Sequence, residues 1–359
     1  MKAVVFTGKE VEVWDELEIE EPKSDEVLIK VVASGVCHTD VNVIKGKVSV
    51  PTPVILGHEV YGIVEKIGER VTRVKPGDHV VAAFIYPCGK CKLCLSGFEN
   101  LCENSIKARA KGVTLDGTTR IKKGGKDIYV RNGGWAEYMI APTENCVVAL
   151  PPELKIHEAT VLGCAFFTSY GAVFNTAQVT AVDKIAVFGV GGVGLPTIKF
   201  ASIANAAEII AIDIVDQKLQ KAKAMGATLT INAKIEDPVK TIKEATNGEG
   251  VDIAIEAIGN TTTIRQAIES VRVGGKVVLI GMGATAEFEV NNVVIRGVKV
   301  LGHYGARPRI DIPNVIELIK KGLINPQEFV THKFKLDEIK QAIHVLETGE
   351  AIRSNLLLP

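Results

Sequence analysis

The sequence predicts a two-domain α/β protein, a doubly wound parallel sheet joined to an irregular β-barrel-like domain that carries a cysteine-stapled lobe. Three observations predict it. From about Ala181 onward, short apolar strands alternate with helical stretches. The first of those strands leads through a glycine-rich turn, Gly189 to Gly194, into a helix. Upstream, Cys88, Cys91, Cys94 and Cys102 cluster at short, regular spacing. At 359 residues the chain exceeds the size at which one core stays efficient, so two domains are expected.

Residues 1 to about 150 read as short β segments broken by turns. Val27 to Val32 is a strand, Gly57 to Val64 leads into another, and Lys75-Pro76-Gly77-Asp78 turns into His79 to Ala83. Ser105 to Gly134 has neither period and reads as a long surface loop, with room for a small hairpin. In the second half, Lys184–Phe188, Glu208–Ile212, Val251–Ile255 and Lys276–Ile280 are buried strands. Helices fill the gaps at Gln217 to Met225, closed by Gly226, and at Thr262 to Val271, closed by Gly274. Two more helices, Pro313 to Lys321 and Leu336 to Thr348, lie in a tail expected to return to the first domain. The boundaries expected are therefore 1–165 with 305–359 for one domain, a lobe at 85–105 within it, and 166–304 for the other.

The cysteine spacing, Cys-x2-Cys-x2-Cys-x7-Cys, suits a tetrahedral ion. Two-residue gaps let a tight loop turn three thiolates inward, and the longer gap returns the fourth. Zinc fits best, against a disulfide lobe or an iron–sulfur cluster. Four thiolates leave no open coordination position, so this lobe is a staple and not a reaction centre. Composition removes other classes. With 47% hydrophobic residues, a formal net charge of zero and no basic stripe, neither disorder nor nucleic-acid binding is expected. No apolar run is long enough for a membrane helix. The opening Met1 to Phe6 reads as a strand and not a signal peptide, and thiol ligands without an export signal indicate a reducing cytoplasm.

In Gly189-x-Gly191-Gly192-Val193-Gly194, the first glycine permits the turn and the second lets backbone approach a pyrophosphate. The third allows close helix–sheet packing, and the helix N-terminus faces the phosphates. Asp213, at the end of the second strand, is placed to accept hydrogen bonds from the adenosine ribose. Ile214 and Val215 supply no cation for a 2′-phosphate, so NAD is expected over NADP. Lys218 reads either as a further ribose contact or as a solvated surface lysine.

Cys37-His38-Thr39-Asp40, Gly57-His58-Glu59 and Cys164 hold the remaining metal-ligand types of interest. Two thiolates and one imidazole make a three-ligand zinc site with an open position, as Lewis-acid chemistry requires. Sequence alone leaves open whether they meet, since a buried cysteine is also an ordinary small hydrophobe. The run Gly57-His58-Glu59-x-x-Gly62-x5-Gly68-x-x-Val71 resembles the signature of the zinc-containing alcohol dehydrogenases of the medium-chain dehydrogenase/reductase family. The resemblance continues through the cysteine lobe, Gly163-Cys164, the Gly189–Gly194 fingerprint and Arg353, in the family's order.

That resemblance implies a GroES-like catalytic domain, a Rossmann domain, two zinc ions per chain and NAD. It implies Cys37, His58 and Cys164 as catalytic-zinc ligands, a set for which alcohol dehydrogenase is itself the standing example. Glu59 becomes the carboxylate that can approach the metal, and Asp40 the group that orients His58. Thr39 matches the hydroxyl that passes the substrate proton outward, His38 and Arg353 match cofactor contacts, and Phe84 matches a pocket wall. Asn42 stands where many relatives place a histidine, and an amide cannot end a proton relay as a base. The implied reaction is reversible transfer of a hydride from an alcohol to NAD, giving an aldehyde or ketone, in a homodimer or homotetramer joined near Val298 to Leu301.

Within the family, polyol or threonine dehydrogenases often carry a carboxylate near Cys164, so this cysteine counts against them. Asp116-Gly117-Thr118-Thr119-Arg120 resembles the longer alcohol and glutathione-dependent formaldehyde dehydrogenases and keeps that reading open. From another class, a non-catalytic zinc-stapled binding or regulatory protein conflicts with the second ligand set. His303, after the last expected strand, reads as able to touch cofactor or substrate, and Cys146 as a buried structural thiol.

Overall fold

The computed structural model describes residues 1–283 and 285–359. It divides into two compact units, Thr168–Ala306 and the pair Met1–Phe167 with Arg307–Pro359.

The Thr168–Ala306 unit is built on six parallel strands: Lys184–Phe188, Glu208–Asp213, Leu229–Asn232, Val251–Glu256, Val271–Leu279 and Lys299–Gly302. Numbered along the chain, their spatial order is 3-2-1-4-5-6, the doubly wound Rossmann arrangement. The runs Ile185-Ala186-Val187-Phe188 and Ile209 to Ile212 are apolar without alternation because helices cover both faces of a parallel sheet. Ala186, Phe188, Ile210, Ile212, Ala254 and Val277 join one core with Ile242, Ile264 and Ile268 from those helices.

Two details differ from the expectation. The helix Thr261–Ser270 stops at Ser270, and the fifth strand begins at once at Val271. Gly274, at φ +74°, thus lies inside the strand and caps nothing. Val271 and Val273 are β-branched and favour the extended chain. A strand at Leu229–Asn232 and a helix at Pro238–Ala245, N-capped by Asp237 with Pro238 in its first turn, complete the alternation.

The other unit contains two mainly antiparallel sheets. The longer path runs Val147–Ala149, His79–Ala82, Val60–Ile67, Val27–Val36, Ser354–Leu357, His332–Lys335, with Tyr138–Ala141 also paired to Val27–Val36. The C-terminal tail therefore returns to this unit, its Ser354 opposite Val36. The second sheet gathers Val11–Trp14, Ala3–Phe6, Val54–Ile55, Lys126–Val130, Ile121–Lys123 and Glu18–Ile19.

The loop expected from Ser105 to Gly134 is more ordered than its composition implies. Glu103–Lys111 is a helix starting at Cys102 and closed by Gly112 in the left-handed region, φ 67°. Ile121–Lys123 and Lys126–Val130 form a hairpin around Gly124 and Gly125, both at positive φ, as a two-residue turn demands. The late helix is also longer than expected, Pro308–Lys320, and starts on Pro308, with Arg307 bonded to Asp311 at the first turn. Pro313 sits inside it, at the loss of one backbone donor. Among the described residues, no helix is long and apolar enough to cross a membrane.

Candidate active site

Three neighbouring strands end at one place and carry the site. Val27–Val36 delivers Cys37, the antiparallel Val60–Ile67 is preceded by His58 and Glu59, and Ser354–Leu357 is preceded by Arg353. Cys164 arrives from a short 3-10 segment, His157–Gly163, whose Gly163 lies so close to the backbone of Ala82 that a side chain would collide. Cys37, His58, Glu59 and Cys164 are all buried, with ligand atoms within 4.8 Å of one another. The residues separated by sequence are thus brought together.

His58 is oriented from behind. Its Nδ1 lies 3.1 Å from Asp40 Oδ1, leaving Nε2 directed at the Cys164 sulfur, 3.5 Å away. Asp40 also accepts the Gly57 amide at 3.2 Å, so the carboxylate fixes both the ring and the loop that bears it. Gly57 adopts φ +90° against Trp135, where any side chain would collide. Glu59 is fully buried; one oxygen accepts from Arg353 Nη1 at 2.6 Å, and Oε2 has no hydrogen-bond partner. An unpartnered buried carboxylate oxygen beside two sulfurs and an imidazole suits a nearby cation. The protein groups do not balance one another without one. Burial opposes the imidazolium of His58, but Asp40 and Cys37 outweigh it and lift its pKa to about 10. Burial pushes the Glu59 carboxyl up to about 7, against the pull of Arg353. The hydrogen bond with Cys164 holds Cys37 well below the usual thiol range, and the same bond with burial drives Cys164 well above it. A dication replacing these protons would settle both sulfurs as thiolates. The donor set fits zinc.

Cys88, Cys91, Cys94 and Cys102 likewise place four sulfurs within 4.8 Å of one another. Burial resists ionisation of Cys88, but the Lys90 amide, Asn104 Nδ2 at 3.3 Å and the Cys91 amide lower its pKa to about 6. The closed tetrathiol set fits a second zinc.

In the other unit, Gly189 turns at φ +91° after the first strand. Gly194 packs so tightly on the Gly189 carbonyl that no Cβ fits, whereas beside Gly191 the space is open. Gly192 and Val193 are half-buried at the start of the helix Gly194–Ile203. The cradle suits a pyrophosphate. Asp213, expected to face a ribose, holds backbone amides. Its Oδ2 accepts the Val190 amide at 2.8 Å, and its Oδ1 accepts the amides of Ile214 and Val215, so it braces the glycine turn. Lys218 is half-buried in the first turn of Asp216–Ala224.

Two residues have partners that the sequence did not reveal. Arg353, expected as a cofactor contact, is buried, and its Nη1 donates to Glu59. His303, read as free to touch a ligand, has both ring nitrogens occupied, Nδ1 by the Thr176 hydroxyl at 2.8 Å and Nε2 by the Thr168 carbonyl at 2.9 Å. Cys146 is buried, its thiol donating to the Thr143 carbonyl, with burial lifting its pKa to about 12. Thr39 is half-buried, its hydroxyl 3.8 Å from the Cys37 sulfur, and His38 is exposed. Phe84 is buried with its ring 5.9 Å from that of His58 and edge-on to it.

A Rossmann sheet, a separate β-rich unit with a buried Cys-His-Cys cluster and a four-cysteine lobe define the class of zinc-dependent dehydrogenases. Comparison with known proteins agrees. Residues 23–152 match the alcohol dehydrogenase GroES-like domain, and residues 192–321 match the zinc-binding dehydrogenase domain. S-(hydroxymethyl)glutathione dehydrogenase of Escherichia coli O1:K1 / APEC is 39% identical over 362 residues, 98% of each chain. Benzyl alcohol dehydrogenase from Acinetobacter calcoaceticus is 34% identical with a TM-score of 0.93, covering 100% of this chain and 99% of that one. An alcohol dehydrogenase zinc-binding domain protein from Burkholderia ambifaria has the same identity and TM-score, covering 100% and 98%. The chain belongs to the zinc-containing alcohol dehydrogenases of the medium-chain dehydrogenase/reductase family, enzymes that interconvert alcohols and carbonyl compounds.

Proposed function

We propose that this enzyme oxidises alcohols to aldehydes or ketones reversibly with NAD, holding zinc on Cys37, His58 and Cys164. The observation that carries this reading is the buried two-sulfur, one-imidazole cluster with an orphaned Glu59 oxygen beside it. Zinc there supplies Lewis acidity, which lowers the pKa of an oxygen ligand by several units. The protein's own part is positional. Asp40 keeps His58 in the tautomer that offers Nε2, Arg353 keeps Glu59 from swinging away, and Phe84 walls the alcohol site beside His58. Thr39 hands the alcohol proton outward. With Asn42 in place of a titratable residue, that proton leaves by another group or directly to solvent. A second zinc in the Cys88–Cys102 lobe makes two per chain and is purely structural.

NAD is the cofactor, held at Gly189, Gly191, Gly192, Val193 and Gly194, with Asp213 refusing a 2′-phosphate and Lys218, His38 and Arg353 adding contacts. Wild-type efficiency should favour NAD over NADP, and Asp213→Gly with Ile214→Arg should narrow or reverse the preference. Equal wild-type efficiency with both would remove that role from Asp213. Because Asp213 also holds the Val190 amide, the double variant should bind both cofactors more weakly than the wild type binds NAD.

Thr39→Ala should slow turnover while leaving zinc content intact, roughly 10²-fold or more for a lost proton-transfer group, and Thr39→Ser should recover much of the rate. A Thr39→Ala enzyme at full speed would place the proton path elsewhere.

The 39% identity with S-(hydroxymethyl)glutathione dehydrogenase supports a second reading, oxidation of the glutathione adduct of formaldehyde. A panel of ethanol, benzyl alcohol and S-hydroxymethylglutathione, followed as NADH absorbance, decides between them. No turnover with any alcohol in the zinc-loaded protein would overturn the proposal. We place the enzyme in the cytoplasm as a homodimer or homotetramer joined at Lys299–Gly302, which among the described residues pairs with a neighbour on one side only.

A further inference from the structure

Arg109 carries a charge into the interior, only 4% exposed. It stands on the helix Glu103–Lys111, which begins at the last lobe cysteine, Cys102. Its guanidinium carbon lies 5.1 Å from the centroid of the Phe84 ring. Its Nε donates to Asn132 Oδ1 at 3.3 Å, and Asn132 Nδ2 donates to the Phe84 carbonyl at 3.1 Å. Asn132 is buried and held at φ 71°, a backbone conformation that asparagine tolerates better than most residues. One turn earlier on the same helix, Ser105 Oγ accepts the Tyr86 amide at 2.9 Å. The helix therefore holds the segment Phe84 to Tyr86 at the ring and at one amide, and Asn132, bonded to Arg109, holds it at one carbonyl. The ring also meets Phe167 edge-on at 5.7 Å and His58 edge-on at 5.9 Å.

A cation over one face of an aromatic ring is attracted by the ring quadrupole, most strongly where water is excluded. A planar guanidinium adds a stacking surface and a fixed direction for its Nε hydrogen, neither of which an ammonium provides. These contacts restrict the ring's position.

We propose that Arg109 is the positioning residue for Phe84 and, through it, a determinant of alcohol selectivity, favouring alcohols whose carbinol carries a flat apolar group that packs on that ring. This rests on the reading that Phe84 walls the alcohol site. Small alcohols that do not reach the ring are indifferent to Arg109. Bulky ones lose their wall when the ring is loosened, and a misplacement of that kind costs on the order of tenfold or more in kcat/KM.

The test compares benzyl alcohol with ethanol in the zinc-loaded, full-length enzyme. Arg109→Met, which keeps the length of the side chain but not its charge or hydrogen bond, should lower the benzyl alcohol to ethanol ratio of kcat/KM by about tenfold. Zinc content and ethanol turnover should stay near wild type. Arg109→Lys should resemble Arg109→Met, because the charge returns without the planar fork. Phe84→Ala should lower the same ratio, and adding Arg109→Met to it should lower it no further. A ratio unchanged in Arg109→Met but lowered in Phe84→Ala overturns the role of Arg109 and leaves the proposed function standing. A ratio unchanged in both removes Phe84 from the alcohol site and overturns both readings of these residues. Equal losses for both alcohols would make Arg109 merely structural. Should Arg109→Met fail to fold, Asn132→Gly provides the same test: glycine keeps the positive φ and deletes the clamp, so the same fall in ratio is expected.

Discussion

Cys164→Ala and His58→Ala are expected to abolish turnover, lowering kcat/KM roughly a thousandfold or more, while NADH still binds. The loss of a Lewis acid is worth several kcal/mol of barrier, and each 1.36 kcal/mol is tenfold in rate. Binding persists because the glycine cradle and Asp213 lie in the Thr168–Ala306 unit and complete their hydrogen bonds there. Acid should act in the same direction as these substitutions. In the metal-free cluster two of the ligands hold protons near neutral pH, His58 lifted to about 10 and Cys164 well above the usual thiol range, and zinc binding must displace them. Zinc loading therefore releases protons and weakens as pH falls. Rates, zinc content and NADH fluorescence titration are the checks. A Cys164→Ala enzyme with full zinc and normal turnover would take this cysteine out of the ligand set.

Cys91→Ser is expected to remove one zinc and lower the unfolding midpoint by on the order of 10 °C, with a far smaller effect on the hydride step of the molecules that remain folded. The lobe has little else to hold it. Leu95 and Phe98 are 74% and 55% exposed, so its apolar residues face outward and do not form a core. Besides the sulfurs it is tied by Glu99, buried and paired with Arg309 at 2.6 Å, and by the Tyr86 amide on Ser105 Oγ. Metal binding at such a site is folding free energy. Wild-type zinc content and thermal stability in Cys91→Ser would show that the lobe is not a metal staple.

Where the sequence misled, the buried surface was polar or the signal was shared. Glu103–Lys111 buries Ser105, Ala108 and Arg109 at helical spacing, and two of those three are polar, so no hydrophobic period marked the helix. Gly274 resembled a helix stop because glycine serves strands and caps alike, and the β-branched Val271 and Val273 decided for strand. His303 had no partner in its own neighbourhood of sequence. Its partners, Thr168 and Thr176, lie more than a hundred residues away.

By itself the sequence determined the elements that short-range physics controls. The Cys-x2-Cys-x2-Cys loop can close only a few ways around an ion, Gly189 to Gly194 answers a steric demand met within a few residues, and uninterrupted apolar strands declare a sheet covered on both faces. Tertiary structure alone decided that Cys37, His58 and Cys164 share one point, that Glu59 is restrained by Arg353 from the far end of the chain, and that Arg109 backs Phe84. These contacts form only when distant strands pair and exclude water, because a buried charge or sulfur is tolerable there only with its partner in place.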